Sequence, residues 1–266
     1  MQNGLKFVSV TVFVLVIQLL YGSVIMVYQI DLAGTIFGIE TKYNHVPSIY
    51  KDYVTNKKPD YIIRLSQSEL DAEWTRSREY DGLLHSRRYI CMEPIVEINA
   101  IIRKICNRLP NHSIFLMHGA VVAVGKSAFM FTAPSGVGKT TRARLFLEQI
   151  PGSYILNGDK PLIRIESDKA VVCGSPWNGK ECLGINAEAD LKAVFLLERS
   201  TNTVVTELSS SDAFEFLFKQ TYMPSEALEQ VKTISHLRSM DRKVRFFRFQ
   251  STPTADSVLE AWKAVQ

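Results

Sequence analysis

The segment Ala133-Pro134-Ser135-Gly136-Val137-Gly138-Lys139-Thr140-Thr141 constrains this chain more than any other, because it dictates a local fold and a ligand together. It follows an apolar run, Ser127 to Thr132, that reads as a buried strand. It precedes a run in which Ala143, Phe146, Leu147 and Ile150 recur at i, i+3, i+4 and i+7 of a helix, and Pro151-Gly152 stops that helix. Between strand and helix, glycines let backbone N–H groups turn toward phosphate oxygens. Lys139 brings a positive charge to them, and the Thr140 hydroxyl can ligate Mg²⁺. The first glycine of the usual pattern is Ala133 here, still small enough for a tight turn. The expected ligand is a nucleoside triphosphate, ATP with Mg²⁺, held by Ser135, Gly136, Val137, Gly138, Lys139, Thr140 and Thr141.

At 266 residues the chain can hold one large domain or two small ones. Its formal net charge of +4 is spread without a basic run, which suits an anionic nucleotide and excludes a nucleic-acid footprint. Cys91, Cys106, Cys173 and Cys182 show no CxxC spacing and no paired histidines nearby, so neither a disulfide framework nor a zinc site is expected. A reducing cytoplasm is the expected location, with the cytoplasmic face of a membrane as the alternative.

That alternative comes from the N-terminus. No charged residue occurs from Phe7 to Ile30, a length that can cross a bilayer core of roughly 30 Å. Residues 1–25 read either as a membrane anchor, with contact through residues 7–30, or as a mis-called start, with translation beginning at Met26. A cleaved signal peptide fits less well, because an ATP-dependent enzyme has no ATP outside the cell. The late start is preferred: Tyr28, Ile30 and Leu32 alternate like a half-buried first strand leading into Ala33-Gly34.

From Met26 to about residue 111 the pattern is a small α/β region. Val27 to Leu32 and Thr35 to Ile39 form a hairpin pattern, Asp60 to Leu65 a further strand, and Ser66 to Glu73 a short helix capped by Ser66 and Glu69. Glu93 to Leu109 carries Ile98, Ile101, Ile102 and Ile105 on one helical face, which marks core packing. From residue 112 to 266 a second unit is expected. Ala120 to Val124 and Ser127 to Thr132 are joined by the two-residue turn Gly125-Lys126, so they must be antiparallel, unlike the ordinary parallel nucleotide-binding folds. Strands follow at Ser153 to Leu156, Leu162 to Ile165, Ala170 to Cys173 and Leu191 to Leu197. Helices are expected at Asp212 to Phe218, Ser225 to Met240 and Thr254 to Val265, with Val244 to Phe249 as a late edge strand.

Asp159 stands 20 residues after Lys139, at the end of an apolar strand. A carboxylate there can hold Mg²⁺ or accept the proton of an attacking hydroxyl, although Asn157-Gly158-Asp159 also reads as a plain turn. His118, before a glycine at the mouth of the strand pair, is a candidate catalytic residue or a satisfied structural one. The polar loop Gly174 to Glu181 is a connector, or else supplies Lys180 to phosphates and Glu181 to a metal.

Taken together, His118-Gly119-Ala120, Ser135 to Thr140, Gly158-Asp159 and the strand Leu191 to Glu198 resemble the catalytic domain of the HPr kinase/phosphorylase family, over roughly His112 to Glu198. The resemblance implies an α/β (α+β) fold of the phosphoenolpyruvate carboxykinase P-loop type, with an antiparallel or mixed sheet carrying the phosphate loop. It implies that Lys139 meets the β- and γ-phosphates, that Thr140 and Asp159 serve the metal, and that His118 is an active-site histidine. Two positions depart from the family: Gly158 replaces the first of two aspartates, and Thr141 replaces a glutamate. Divergent relatives with a loop like Pro176-Trp177-Asn178-Gly179-Lys180 include kinases of ribosomally made peptides such as lasso-peptide precursors. The expected function is an ATP- and Mg²⁺-dependent kinase acting on a serine or other hydroxyl of a protein or peptide, with catalytic Asp159, His118 and Lys139. Homo-oligomer formation is left open. The alternatives are a carboxykinase-like enzyme on a small acid and a nucleotide-binding sensor or pseudokinase.

Overall fold

The computed structural model describes residues 15–18, 24–44, 49–84, 93–179 and 181–266. Within them the chain is a mixed α/β protein built on two sheets. The smaller sheet has the order β1-β2-β3-β4, from strands β1 (Leu15–Gln18), β2 (Val24–Leu32), β3 (Thr35–Thr41) and β4 (Tyr61–Ile63). β2 and β3 pair antiparallel from Met26↔Thr41 to Leu32↔Thr35, which is the expected hairpin. β1 extends this ladder, with Leu15 opposite Val27 and Gln18 opposite Val24. Residues 24–30 of the uncharged stretch are therefore strand, with Tyr28 and Ile30 buried. Among the described residues no helix is long and apolar enough to cross a membrane. Residues 1–14 and 19–23, on which the anchor and late-start readings also rest, lie outside the described residues.

The hairpin turn holds Ala33 at φ 54 and Gly34 at φ 90, the two positive angles that a two-residue connection requires. Asp31 Oδ1 accepts the Gly34 N–H at 2.9 Å. Alanine tolerates the left-handed region poorly, whereas asparagine tolerates it well. Ala33→Asn is therefore expected to stabilise the fold by about 0.5–1 kcal/mol, read from urea midpoints at constant m-value. No gain would mean that the turn relaxes the alanine in some other way.

Helix α1 (Gln67–Leu84) opens on the expected reciprocal cap: the Ser66 N–H donates to Glu69 Oε2 at 2.7 Å and the Glu69 N–H to Ser66 Oγ at 3.3 Å. It runs eleven residues beyond the sequence expectation, which ended at Glu73. Helix α2 (Glu93–Cys106) buries Ile101, Ile102 and Ile105 as its periodicity requires.

The larger sheet has nine strands: β5 (Ile114–Leu116), β6 (Ala120–Val124), β7 (Ser127–Thr132), β8 (Ser153–Asn157), β9 (Leu162–Ile165), β10 (Ala170–Cys173), β11 (Glu188–Glu198), β12 (Val204–Leu208) and β13 (Arg245–Gln250). Its main path is β5-β9-β10-β11-β7-β6-β8. β13 pairs parallel with β11 and antiparallel with β12, so it is interior, and the edge-strand expectation for it is overturned. The true edge there is β12, whose sequence Val-Val-Thr-Glu-Leu is too polar and too exposed to announce itself. Side chains alternate across this sheet as strand geometry demands. Val121, Ala123, Ala128 and Met130 face helices α4 (Ser210–Gln220) and α5 (Ala227–Arg238). Val122, Phe129 and Phe131 face helices α3 (Lys139–Gln149) and α6 (Ala255–Lys263). Phe146 of α3 meets Phe129, Phe131 and Trp262 at centroid distances of 6.0, 6.1 and 5.4 Å. Burial of such a ring contributes about 1.5–3 kcal/mol. Leu147, expected on the same face, is instead 37% exposed.

A third core joins the two sheets. Tyr28, Ile30, Phe37, Tyr50 and Ile101 from the first 111 residues pack with Ile114, Leu162, Val171 and Trp177. Cys106 and Cys173 are buried free thiols and Cys182 is an exposed one, while Cys91 lies outside the described residues.

Candidate active site

Strand directions decide which residues meet. β11 runs parallel to β7 and to β13, while β6 runs antiparallel to both β7 and β8. β7, β8, β11 and β13 therefore all end on one edge of the sheet, where antiparallel β6 begins. The segments at that edge are Ala133 to Thr141 after β7, Gly158-Asp159 after β8, Arg199 after β11, Ser251 after β13, and His118-Gly119 before β6. Residues far apart in sequence are gathered there by topology, as at the carboxyl ends of strands in many α/β proteins.

The phosphate-loop segment is an exposed turn at Pro134 to Gly136 that tightens into α3. Gly136 (φ 81) and Gly138 (φ 100) adopt angles that side chains resist, so the glycines of the motif are required by the backbone itself. No atom lies within 4 Å of where a Cβ on Gly136 would stand, so the loop borders open space on that side. Lys139 is 8% exposed, and its Nζ donates to the carbonyls of Ala133 at 2.9 Å and Pro134 at 3.3 Å. Burial lowers its pKa, and the charge of Asp159 opposes that shift. Thr140 and Thr141 follow in the first turn of α3, where backbone N–H groups have no partners within the helix. The donor set fits a polyphosphate with a magnesium ion in its chemistry: an ammonium at Lys139, helix-start N–H groups and the Thr140 hydroxyl adjoin a loop that borders open space at Gly136.

Asp159 is placed by Asn157, which is wholly buried. Asn157 Oδ1 accepts the N–H groups of Asp159 at 2.9 Å and Lys160 at 2.8 Å. Its Nδ2 donates to Ser175 Oγ at 3.1 Å and Asn178 Oδ1 at 2.8 Å. The expected Asn157-Gly158-Asp159 turn is therefore present, and it sets the direction of the Asp159 carboxylate. His118 Nε2 lies 3.3 Å from Asp159 Oδ1, and Lys160 Nζ lies 2.8 Å from Asp159 Oδ2. The other His118 ring nitrogen, Nδ1, is 3.3 Å from Gln220 Oε1 at the end of α4. Burial raises the Asp159 pKa, but the hydrogen bond to His118 and the charge of Lys160 outweigh it and bring the pKa down to about 2.

A folded-state pKa of about 2, against an ordinary 3.8, means that this carboxylate stabilises the fold above about pH 4 and that the contribution is lost as pH falls toward 2. Wild-type protein is therefore expected to lose more urea resistance between those limits than Asp159→Asn. Parallel profiles for the two proteins would show that the His118 and Lys160 contacts do not hold in solution.

Gly158, where the resembling family carries an aspartate, has no room for a side chain. A Cβ there would stand 2.9 Å from the Leu183 carbonyl oxygen and 3.1 Å from that of Asn178. The loop after β10 closes over the strand end, leaving Asp159 as its carboxylate. Glu181, read from sequence as a metal ligand, is paired with Arg144 of α3 at 2.5 Å. Lys180 lies outside the described residues. Among the described residues no group of three or more His, Cys, Asp or Glu side chains could hold a metal ion.

Two residues at this edge carry no sequence signal of their place there, Gln220 and Arg199, and Asn157 signals only a turn. Arg199 Nη2 donates to the Gly136 carbonyl at 2.6 Å from the end of β11. The available signal was its position one residue past an apolar strand, but that becomes informative only once β11 is known to run parallel to β7.

No protein-family model matches this chain, and no curated protein matches it. Among solved structures it is similar to the HPr(Ser) kinase/phosphatase from Coxiella burnetii, with a TM-score of 0.34 and 9% sequence identity, covering 56% of this chain and 93% of that one. At that distance the likeness carries no functional argument.

Proposed function

We propose that this protein is a kinase that uses ATP and Mg²⁺ to phosphorylate a serine or other hydroxyl of a protein or peptide, short ribosomally made peptides among the candidate acceptors. The observation that carries the reading is the meeting, at one sheet edge, of the glycine loop with Lys139 and the carboxylate of Asp159 braced by His118. Phosphoryl transfer requires little covalent chemistry of the protein beyond positioning and charge stabilisation. Lys139 and the loop amides would neutralise charge on the phosphate oxygens. Asp159 would accept a hydrogen bond from the acceptor hydroxyl and orient it. With a pKa of about 2, Asp159 is a weak base, so the hydroxyl proton would leave late, as P–O bond formation acidifies it. His118 would fix the carboxylate rotamer and could relay that proton. Thr140 and Asp159 would hold magnesium, which would supply further charge neutralisation to the transferred group.

The test incubates the full chain with γ-labelled ATP, Mg²⁺ and serine-containing peptides, including any short peptide encoded beside its gene. The expected result is label on a serine, absent when Mg²⁺ is chelated. Tight ATP binding with label on no hydroxyl acceptor would overturn the kinase reading in favour of a nucleotide sensor.

A further inference from the structure

One buried cation beside the loop is not used in the chemistry above. Arg142, on the first turns of α3, is 0% exposed, and no described carboxylate pairs with it. Arginines are rarely buried unpaired, because removing a charge from water costs several kcal/mol. A helix N-terminus is itself a positive dipole end, so the position is doubly unfavourable for a cation. Something specific must hold the side chain there. Its Nη1 donates to the Val137 carbonyl at 3.1 Å and approaches that of Gly138 at 3.5 Å. Its Nη2 donates to the carbonyl and the hydroxyl of Ser251 at 2.7 and 3.0 Å. The guanidinium lies over the Phe249 ring, 5.4 Å from its centroid, and its Nε has no partner. The planar fork thus bridges the glycine loop to the end of β13.

The bridge has an orienting consequence. In a trans peptide the C=O of one residue and the N–H of the next point in opposite directions, and no described peptide here is cis. The Arg199 and Arg142 side chains hold the Gly136 and Val137 carbonyls, and the Arg142 backbone N–H, with its guanidinium nearby, holds that of Gly138 at 3.1 Å. The N–H groups of Val137, Gly138 and Lys139 are thereby turned away from the two arginines.

We propose that Arg142 is a positioning residue that holds the glycine loop in its anion-binding conformation before any ligand arrives, by tying Val137 and Gly138 to Ser251. The proposal rests on the phosphate-loop reading. A lysine at this position keeps the charge but cannot span both sides, because one ammonium lacks the fork.

The test titrates the full chain with inorganic tripolyphosphate, followed by calorimetry at several salt concentrations. Arg142→Lys is expected to weaken binding about tenfold while leaving its salt dependence unchanged, because positioning is lost and no phosphate contact is removed. Ser251→Ala, which removes one of the two acceptors on that side, is expected to weaken binding about twofold to threefold. Folded Arg142→Lys protein that melts earlier yet binds with wild-type affinity would overturn the proposal and leave Arg142 as a packing residue. If Arg142→Lys fails to fold, Ser251→Ala decides: weaker binding supports the proposal and wild-type affinity overturns it. If wild-type protein binds no tripolyphosphate, the phosphate-loop reading fails first and this inference falls with it.

Discussion

Lys139→Ala is expected to lower phosphoryl transfer by on the order of 10²–10³-fold or more, with little change in the thermal midpoint. The two effects separate because of where the ammonium sits. Burial already lowers its pKa, so the folded protein bears a cost in keeping it charged. Its hydrogen bonds go to the carbonyls of Ala133 and Pro134, and Pro134 is exposed enough for water to replace the lost donor. The buried contact that depends on the charge is the hydrogen bond to the Ala133 carbonyl, whose loss costs about 1 kcal/mol and is partly offset by relief of the buried charge. The check is an initial-rate measurement alongside a circular-dichroism melt. Wild-type transfer by folded Lys139→Ala protein would remove the loop from the mechanism.

Asp159→Asn should be nearly as damaging, but through turnover more than through nucleotide affinity. The amide keeps the shape and the Asn157 turn, yet it cannot carry the negative charge that His118 and Lys160 now flank. A fall in kcat of about 10²–10³-fold is expected, with the Kd for ATP changed by less than about tenfold. Because Asp159 is ionised far below neutrality, its titration should place no acid limb on the wild-type rate profile near pH 6. Unchanged turnover at saturating Mg²⁺ would return Asp159 to the role of a turn residue.

The antiparallel pair β6–β7, the loop and the start of α3 are legible in sequence because each carries a local signal: short apolar runs, a Gly-Lys turn, glycines before Lys139. A catalytic role for His118 rests in the sequence on family resemblance, and its approach to Asp159 at 3.3 Å has no local sequence signal. The position of β13 was not legible, because alternation shows that a strand has two unlike faces and says nothing about its neighbours. The full length of α1 is not signalled in sequence because its residues form no apolar stripe. The burial of Arg142 is hidden in sequence for a related reason. A cation on a helix reads as a solvated face, and only the fold shows it sealed beneath Phe249. Residues 26–111 read as a separate region, yet apolar side chains from them complete a core with Trp177 and Val171.

The interior place of β13 also sets an order of events for a chain leaving the ribosome. β11 emerges with β12 just behind it, and pairing these two neighbours directly is the local, fast option. The native sheet must instead keep that seam open until Arg245–Gln250 arrives to fill it. Ser251 arrives with the same strand, so the far anchor of Arg142 is among the last pieces made. A chain halted before residue 245 would carry every residue of the glycine motif without that brace. In refolding, tripolyphosphate binding should therefore appear later than the bulk of the sheet signal; simultaneous appearance would mean that β13 inserts with the first strands.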